Sequence, residues 1–310
     1  MPYPSDVVEI PDPGQPWTSE DVLHTGSQPP IVISSSGDQW RADGSAGLHL
    51  LPGVEGLADP PRVIQSDDPA QWDGSLYRGV RYSAREVFLP MYLEADHAHL
   101  LRPAMRRLAA LLDPRRGPVT VTVQHPDADV RSISGRVSTP MATTSESAEG
   151  AWWHRVGMTL WCPDPFWVSP PVSLTFRALP PSPFLGPAFL PMRLSSSQVL
   201  GDVTVDNPGD ADAYPVWTVT GPVGALTVTS GAQAWSLPAG VAAGETVTVD
   251  TRRGQQRVAD ADGPAWGRLS ASSRLWPLPP GRSQVSITAT GTSTATAVDV
   301  TWEPRWLTAW

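Results

Sequence analysis

Apolar residues along this chain recur mostly with a period of two, which predicts strands joined by turns rather than packed helices. Val87, Leu89, Met91 and Leu93 fall on one face of an extended run, and Phe88 and Tyr92 fall on the other. That strand should therefore be covered on both sides. Val119, Val121 and Val123 alternate with Thr120, Thr122 and Gln124; a Pro126-Asp127 turn and a second run from Val130 to Val137 complete a predicted hairpin. Trp152 to Trp161 reads as an aromatic-rich strand with both of its end tryptophans in the core. Ile31 to Ser35 and Leu48 to Leu51 are short strand candidates upstream.

One stretch departs from this period. Between about Asp96 and Leu112, Leu101, Met105, Leu108 and Leu112 recur at helical spacing, with Arg102, Arg106 and Arg107 off the stripe. Asp96 is the expected N-cap and Asp113-Pro114 the stop. Pro103 fits only within a first turn, so the regular helix is expected to begin near residue 100. Its apolar stripe should rest on a sheet.

Beyond Pro163 the pattern changes. Seven prolines between Pro170 and Pro191 predict an extended, semi-rigid linker. At least seven short alternating strands follow, the spacing of a β-sandwich. The last two, Val285-Ile287-Ala289 and Val298-Val300-Trp302, read as a closing hairpin around Gly291 to Thr294. The expected fold is mainly β with one amphipathic helix: an N-terminal β-sandwich over residues 74–178, a linker over 179–194 and a C-terminal β-sandwich over 195–310. Residues 1–73 form an extension assigned to the first domain.

Composition sharpens this picture. A chain of 310 residues has room for two cores, and 35 Pro with 26 Gly fit many short elements. Hydrophobic residues at 40% against 17% charged exclude wholesale disorder. All basic side chains are arginine, and Asn207 is the single asparagine, a mark of GC-rich coding rather than of function. The net charge of −9, with Arg106-Arg107, Arg115-Arg116 and Arg252-Arg253 as isolated pairs, argues against a sequence-independent grip on phosphate backbones. It suits a conduit through which DNA passes without sticking.

Cys162 is the single cysteine, so no intrachain disulfide or multi-cysteine zinc site can form; it reads as a core residue. Met1 to Ile10 lacks the pattern of a signal peptide, and no apolar run has the length of a membrane span.

The chemical motifs are sparse. Gly44-Ser45-Ala46-Gly47 approaches a nucleophile elbow but has the wrong spacing. His97 and His99 either contribute to a metal site or are polar residues at a helix start. Asp59, Asp67, Asp68 and Asp73 read as calcium ligands or, more simply, as turn and solvation chemistry. A carboxylate pair in a cleft, as a glycosidase needs, has no assigned residues. No catalytic, cofactor-binding or metal-binding residue is assigned.

Fourteen tryptophans against five Phe and five Tyr favour cores or interfaces. Trp152, Trp161 and Trp302 are expected in cores, whereas Trp17, Trp40, Trp72, Trp306 and Trp310 are left as interface candidates.

Two groups of residues, taken together, resemble a known family. The first is Leu76-Tyr77-Arg78-Gly79-Val80-Arg81-Tyr82, Arg85 to Pro90, the helix, Leu112-Asp113-Pro114 and Trp161-Cys162-Pro163-Asp164-Pro165-Phe166-Trp167. The second is Asn207-Pro208-Gly209, Tyr214-Pro215, Gly221-Pro222, Asp250-Thr251-Arg252, Leu275 to Leu278 and Pro280-Gly281. Their order resembles the siphophage distal tail proteins.

The resemblance implies a ring-forming first domain and a galectin-like second one. It further implies a virion protein, made in the host cytoplasm, that assembles as a hexamer between the tail tube protein and the tail-tip hub protein. DNA would cross its channel, receptor-binding proteins are further partners, and neither a cofactor nor a membrane is involved. Candidate ring or partner contacts are Phe88, Tyr92, Arg106, Arg107, Trp306 and Trp310. The competing reading is a carbohydrate- or receptor-binding tail module.

Overall fold

The computed structural model describes residues 31–71, 73–125, 129–139, 152–178, 197–199 and 201–310. Among the described residues the fold is mainly β with a single α-helix. It divides into two units: Met1–Trp167 with Leu307–Trp310, and Val168–Trp306.

Unit 1 contains β1 (Ile31–Ser35), β2 (Asp38–Arg41), β3 (Leu48–Leu50), β4 (Arg62–Asp67), β5 (Leu76–Tyr82) and β6 (Arg85–Glu94). After these come α1 (Ala98–Leu111), β7 (Val119–Gln124), β8 (Val130–Val137) and β9 (Trp153–Cys162). The main sheet runs in the order β2-β1-β7-β8-β9-β6-β3. β7 buries Val119, Val121 and Val123 and turns its Thr residues outward, the half-buried alternation read from the sequence.

β8 turns the corner of this sheet. Up to Gly135 it pairs with β7, and from Arg136 it pairs with β9. A Cβ on Gly135 would lie 2.4 Å from the Trp161 carbonyl oxygen, so the close approach at the switch requires glycine. β6 and β9 share ten residue pairs, from Arg85↔Cys162 to Glu94↔Trp153. Their shared core face buries Val87, Leu89, Met91, Val156, Met158, Leu160 and Cys162. Burial pushes the Cys162 thiol up to about 12.

After the two-residue β10 (Trp167–Val168), unit 2 contains β11 (Val172–Arg177), β12 (Ser197–Val199), β13 (Asp202–Asn207), β14 (Val216–Thr220), β15 (Ala225–Ser230) and β16 (Gln233–Leu237). It continues with β17 (Thr246–Asp250), β18 (Arg257–Asp260), β19 (Gly263–Pro264), β20 (Gly281–Thr290), β21 (Ala297–Trp302) and β22 (Arg305–Trp306). One sheet runs β12-β11-β21-β14-β17-β18-β19 and the other β13-β20-β15-β16. Both supply one continuous core, including Trp217, Val249, Val300 and Trp302 from the first and Val205, Val228, Trp235 and Ile287 from the second. This is the sandwich expected from the strand spacing.

The structure corrects several expectations. The domain boundary lies at Trp167/Val168, not near residue 178, because β11 pairs along its length with β21 and buries Phe176 in unit 2. The proline-rich run, mostly outside the described residues, joins β11 to its parallel neighbour β12. It is thus a connection within unit 2 and not a linker between domains.

The closing hairpin does not form. β20 pairs with β13 and β15, whereas β21 pairs with β11 and β14 in the opposite sheet. Both strands present an apolar face inward, and alternation records that face without recording the partner.

Helix α1 starts at Ala98 with His97, not Asp96, at the N-cap, and Pro103 lies inside it. Pro103 removes the hydrogen bond to the His99 carbonyl, and exposure of that turn leaves the carbonyl open to water. Leu108, Leu111 and Leu112 are buried while Leu101 and Met105 are only half-buried, so α1 packs through its C-terminal turns.

Trp152 and Trp161 are exposed, and the buried tryptophan of that strand is Trp153. Trp153 stacks on Tyr92 with ring centroids 5.7 Å apart. Trp161 shares its face but lies at the opposite, uncovered end of β9. Pro126-Asp127 and most of Thr139 to Gly150 lie outside the described residues, as do Trp17 and Trp72.

Candidate interaction surfaces

β4 and β5 pair only with each other among the described residues, as a two-stranded sheet of their own. Ile64 pairs across the strands with Val80, and Arg62 with Tyr82. Beyond Gln65 the register shifts, leaving Arg78 as the extra residue of a bulge. Arg78 reaches back to Asp67 at 2.6 Å, and Arg62 to Asp59 at 2.5 Å. At the base, Tyr82 meets Phe166 edge to face at 5.3 Å.

The arm itself exposes what a strand usually hides: Ile64 is 68% exposed, Tyr77 66% and Val80 50%. A hairpin standing alone is marginally stable in water, and exposed apolar surface of this kind is the chemistry of a contact.

The residues named from the sequence are scattered. Tyr92 is 1% exposed, held between Trp153 and the edge of His49, and is corrected from interface candidate to core. Phe88 is half-buried on β6, where its backbone exchanges two hydrogen bonds with Glu55. Arg107 forks onto Asp38 at 2.8 and 3.2 Å and lies over the Trp40 ring at 4.5 Å, so its guanidinium already has partners within unit 1. The Arg107 hydrogen bond holds the Asp38 carboxyl below its ordinary value. Arg106 is exposed on the same helix. Trp306 is half-buried and donates its indole N–H to the Ser169 hydroxyl. Trp310 is exposed.

The sequence reading missed the arm as a surface. Its apolar residues occur at both parities, which looks like two-sided burial, and only their high exposure in the folded chain reveals the surface.

The chemical candidates resolve into structural roles. Ser45 donates to Asp43 at 2.6 Å within a turn between strands, and this hydrogen bond leads the effects that lower Asp43 to about 2. His97 and His99 stack with centroids 5.6 Å apart, and among the described residues no group of three or more His, Cys, Asp or Glu is placed to hold a metal. Asp59 and Asp67 are in ion pairs, and Asp68 accepts from Ser75.

In unit 2, an open groove of about 310 Å³ lies over β13, β15 and β20, lined by Asp202, Thr229, Gly231, Gln284, Val285 and Ser286. None of these is aromatic, so this groove offers no ring on which a sugar could stack.

The loops of unit 2 are more specific. Asn207, 1% exposed, donates to the carbonyls of Ala211 and Leu278 at 3.0 Å and accepts from Gly209 N–H. Residue 209 must be glycine, because a Cβ there would lie 2.5 Å from the Arg305 carbonyl oxygen. The Gly221–Pro222 bond is cis.

Residues 208–306, which contain these loops, match the family of the siphovirus-type tail component, C-terminal domain. That stretch is similar to the C-terminal domain of the siphovirus-type tail component. The resemblance to siphophage distal tail proteins is borne out.

The fold is similar to that in the crystal structure of the SPP1 Dit protein, described as a paradigm of hub adsorption apparatus in Gram-positive infecting phages. The TM-score is 0.61 at 16% identity, covering 89% of this chain and 99% of that one. It is also similar to a chain of the phage p2 baseplate in its activated conformation with strontium, at TM-score 0.50 and 8% identity, covering 89% and 98%. No curated protein matches in sequence.

Proposed function

We propose that the chain is a structural component of a siphophage tail tip, acting as a ring of six copies around the DNA channel between the tail tube and the tail-tip hub. The observation that carries the tail assignment is the family match over residues 208–306. The exposed β4–β5 arm supports self-assembly, because ring closure needs a patch on one copy that seats on a different patch of the next. The ring and its neighbours hold DNA by enclosure, in keeping with a net charge of −9. The protein performs no turnover.

Gold-labelled antibody against the chain tests the placement in particles that contain it. Label confined to the tail end distal to the head is expected. Label on the capsid or along the whole tube contradicts the reading, as does release of sugars or peptides when the purified chain is incubated with cell-wall material.

A further inference from the structure

Leu307–Trp310 belongs to unit 1 although all of unit 2 precedes it in the chain. Every main-chain carbonyl of this segment has a partner. Arg85 Nη2 donates to Leu307 O at 2.6 Å, and Arg131 Nη1 donates to Thr308 O at 3.1 Å and Trp310 O at 2.6 Å. His125 Nε2 lies 2.6 Å from Ala309 O, and because a carbonyl only accepts, that nitrogen carries the proton. Ala309 N–H returns the contact by donating to Leu57 O at 2.8 Å.

The donors are not casual surface groups. Arg85 is 1% exposed and Arg131 8%. The other hydrogen bonds of Arg85 go to Gly56 O and Ala58 O at 2.9 and 2.6 Å, so carbonyl oxygens, rather than a carboxylate, accept from both terminal nitrogens of this buried cation, while its Nε has no acceptor among the described residues. Burial pulls its guanidinium down to about 10. Without Leu307 a buried charged donor loses an acceptor, which is costly in a low-dielectric setting. The Gly56 turn is equally specific: its φ is +82°, and a Cβ there would sit 2.0 Å from the Glu86 carbonyl oxygen.

We propose that unit 1 contains a peptide-binding cleft, formed by Leu57, Arg85, His125 and Arg131, whose ligand is a short extended peptide and whose resident ligand is Leu307–Trp310. Recognition is through the main chain. The one side chain that is fully enclosed is the Ala309 methyl, while Trp310 projects outward. The cleft therefore takes peptides with a small residue at the third position and rejects larger ones there. In the intact chain the strap returns the polypeptide to unit 1 after unit 2, so unit 2 is inserted in sequence between two stretches of unit 1. This inference stands apart from the tail assignment and is tested on the isolated chain.

The test is amide hydrogen exchange on the chain lacking Leu307–Trp310, with and without an acetylated pentapeptide of the sequence Trp306–Trp310. Deletion should speed exchange around residues 55–58 and 129–133 by roughly ten- to hundredfold, the factor expected for lost hydrogen bonds to charged donors, and leave β14 to β17 unchanged. The pentapeptide should restore protection saturably, and the same peptide with Glu at the Ala309 position should not. If the deletion prevents folding, the full-length Ala309→Glu and Arg131→Met variants carry the test, with the same local loss expected. Unchanged exchange at residues 55–58, or rescue that is absent or equally given by the Glu peptide, would overturn the proposal.

Discussion

Trp217 of β14 and Trp235 of β16 meet edge to face, ring centroids 5.8 Å apart at 61°, and so join the two sheets of unit 2 across its core. Trp276 adds a second edge contact to Trp217 at 6.0 Å. Such pairs contribute about 0.5–1.5 kcal/mol beyond the area they bury. Trp217→Ala is expected to destabilise unit 2 by about 3–5 kcal/mol, and thermal unfolding followed by hydrogen exchange should confine the loss to residues 201–306.

Asn207 organises the loop that seats Gly209 against Arg305. Asn207→Ala leaves buried polar groups without a partner and should cost about 2 kcal/mol. Denaturant unfolding measures this. A loss under a few tenths of a kcal/mol would show that the loop holds its shape without the side chain.

Glu245 links pH to the stability of unit 2. Its hydrogen bond from Arg268, aided by the Ala242 N–H, lowers its carboxyl from 4.5 to about 2. Since the folded value is depressed, the contribution is present above pH 4.5 and is lost as pH falls from there toward 2. Melting temperature measured over that window should fall with acid in the native chain and fall less in Glu245→Gln.

The arm is expected to act in assembly and not in folding. Ile64→Asp and Val80→Asp replace exposed apolar groups, so each should change unfolding free energy by no more than about 0.5 kcal/mol. Both should still reduce the assembled fraction in sedimentation velocity, because a charge would then be buried at the contact.

Much of this architecture was legible because burial imposes a period. Val119 to Val123 and Val130 to Val137 showed both their faces and, through the short turn, their pairing. β20 and β21 showed their faces equally well, yet the connecting segment crosses between sheets, and no local pattern distinguishes that from a hairpin. Trp152 and Trp153 differ by one register position, and the stacking of Trp153 on Tyr92 decides which one is inside.

Surfaces were least legible. Ile64, Tyr77 and Val80 have core chemistry on an exposed hairpin. The partners of Arg85, Arg131 and His125 lie far along the chain, so their cleft left no spacing to read.

The most direct measurement of the central claim is the solution mass of the full chain by light scattering over a concentration series, with images of the species found. The account predicts a closed ring with a central hole and a mass of about 200 kDa, six chains of 33.2 kDa, and predicts that Ile64→Asp returns it to single chains. A species that stays at 33.2 kDa at every concentration, or a ring unaffected by Ile64→Asp, would contradict it.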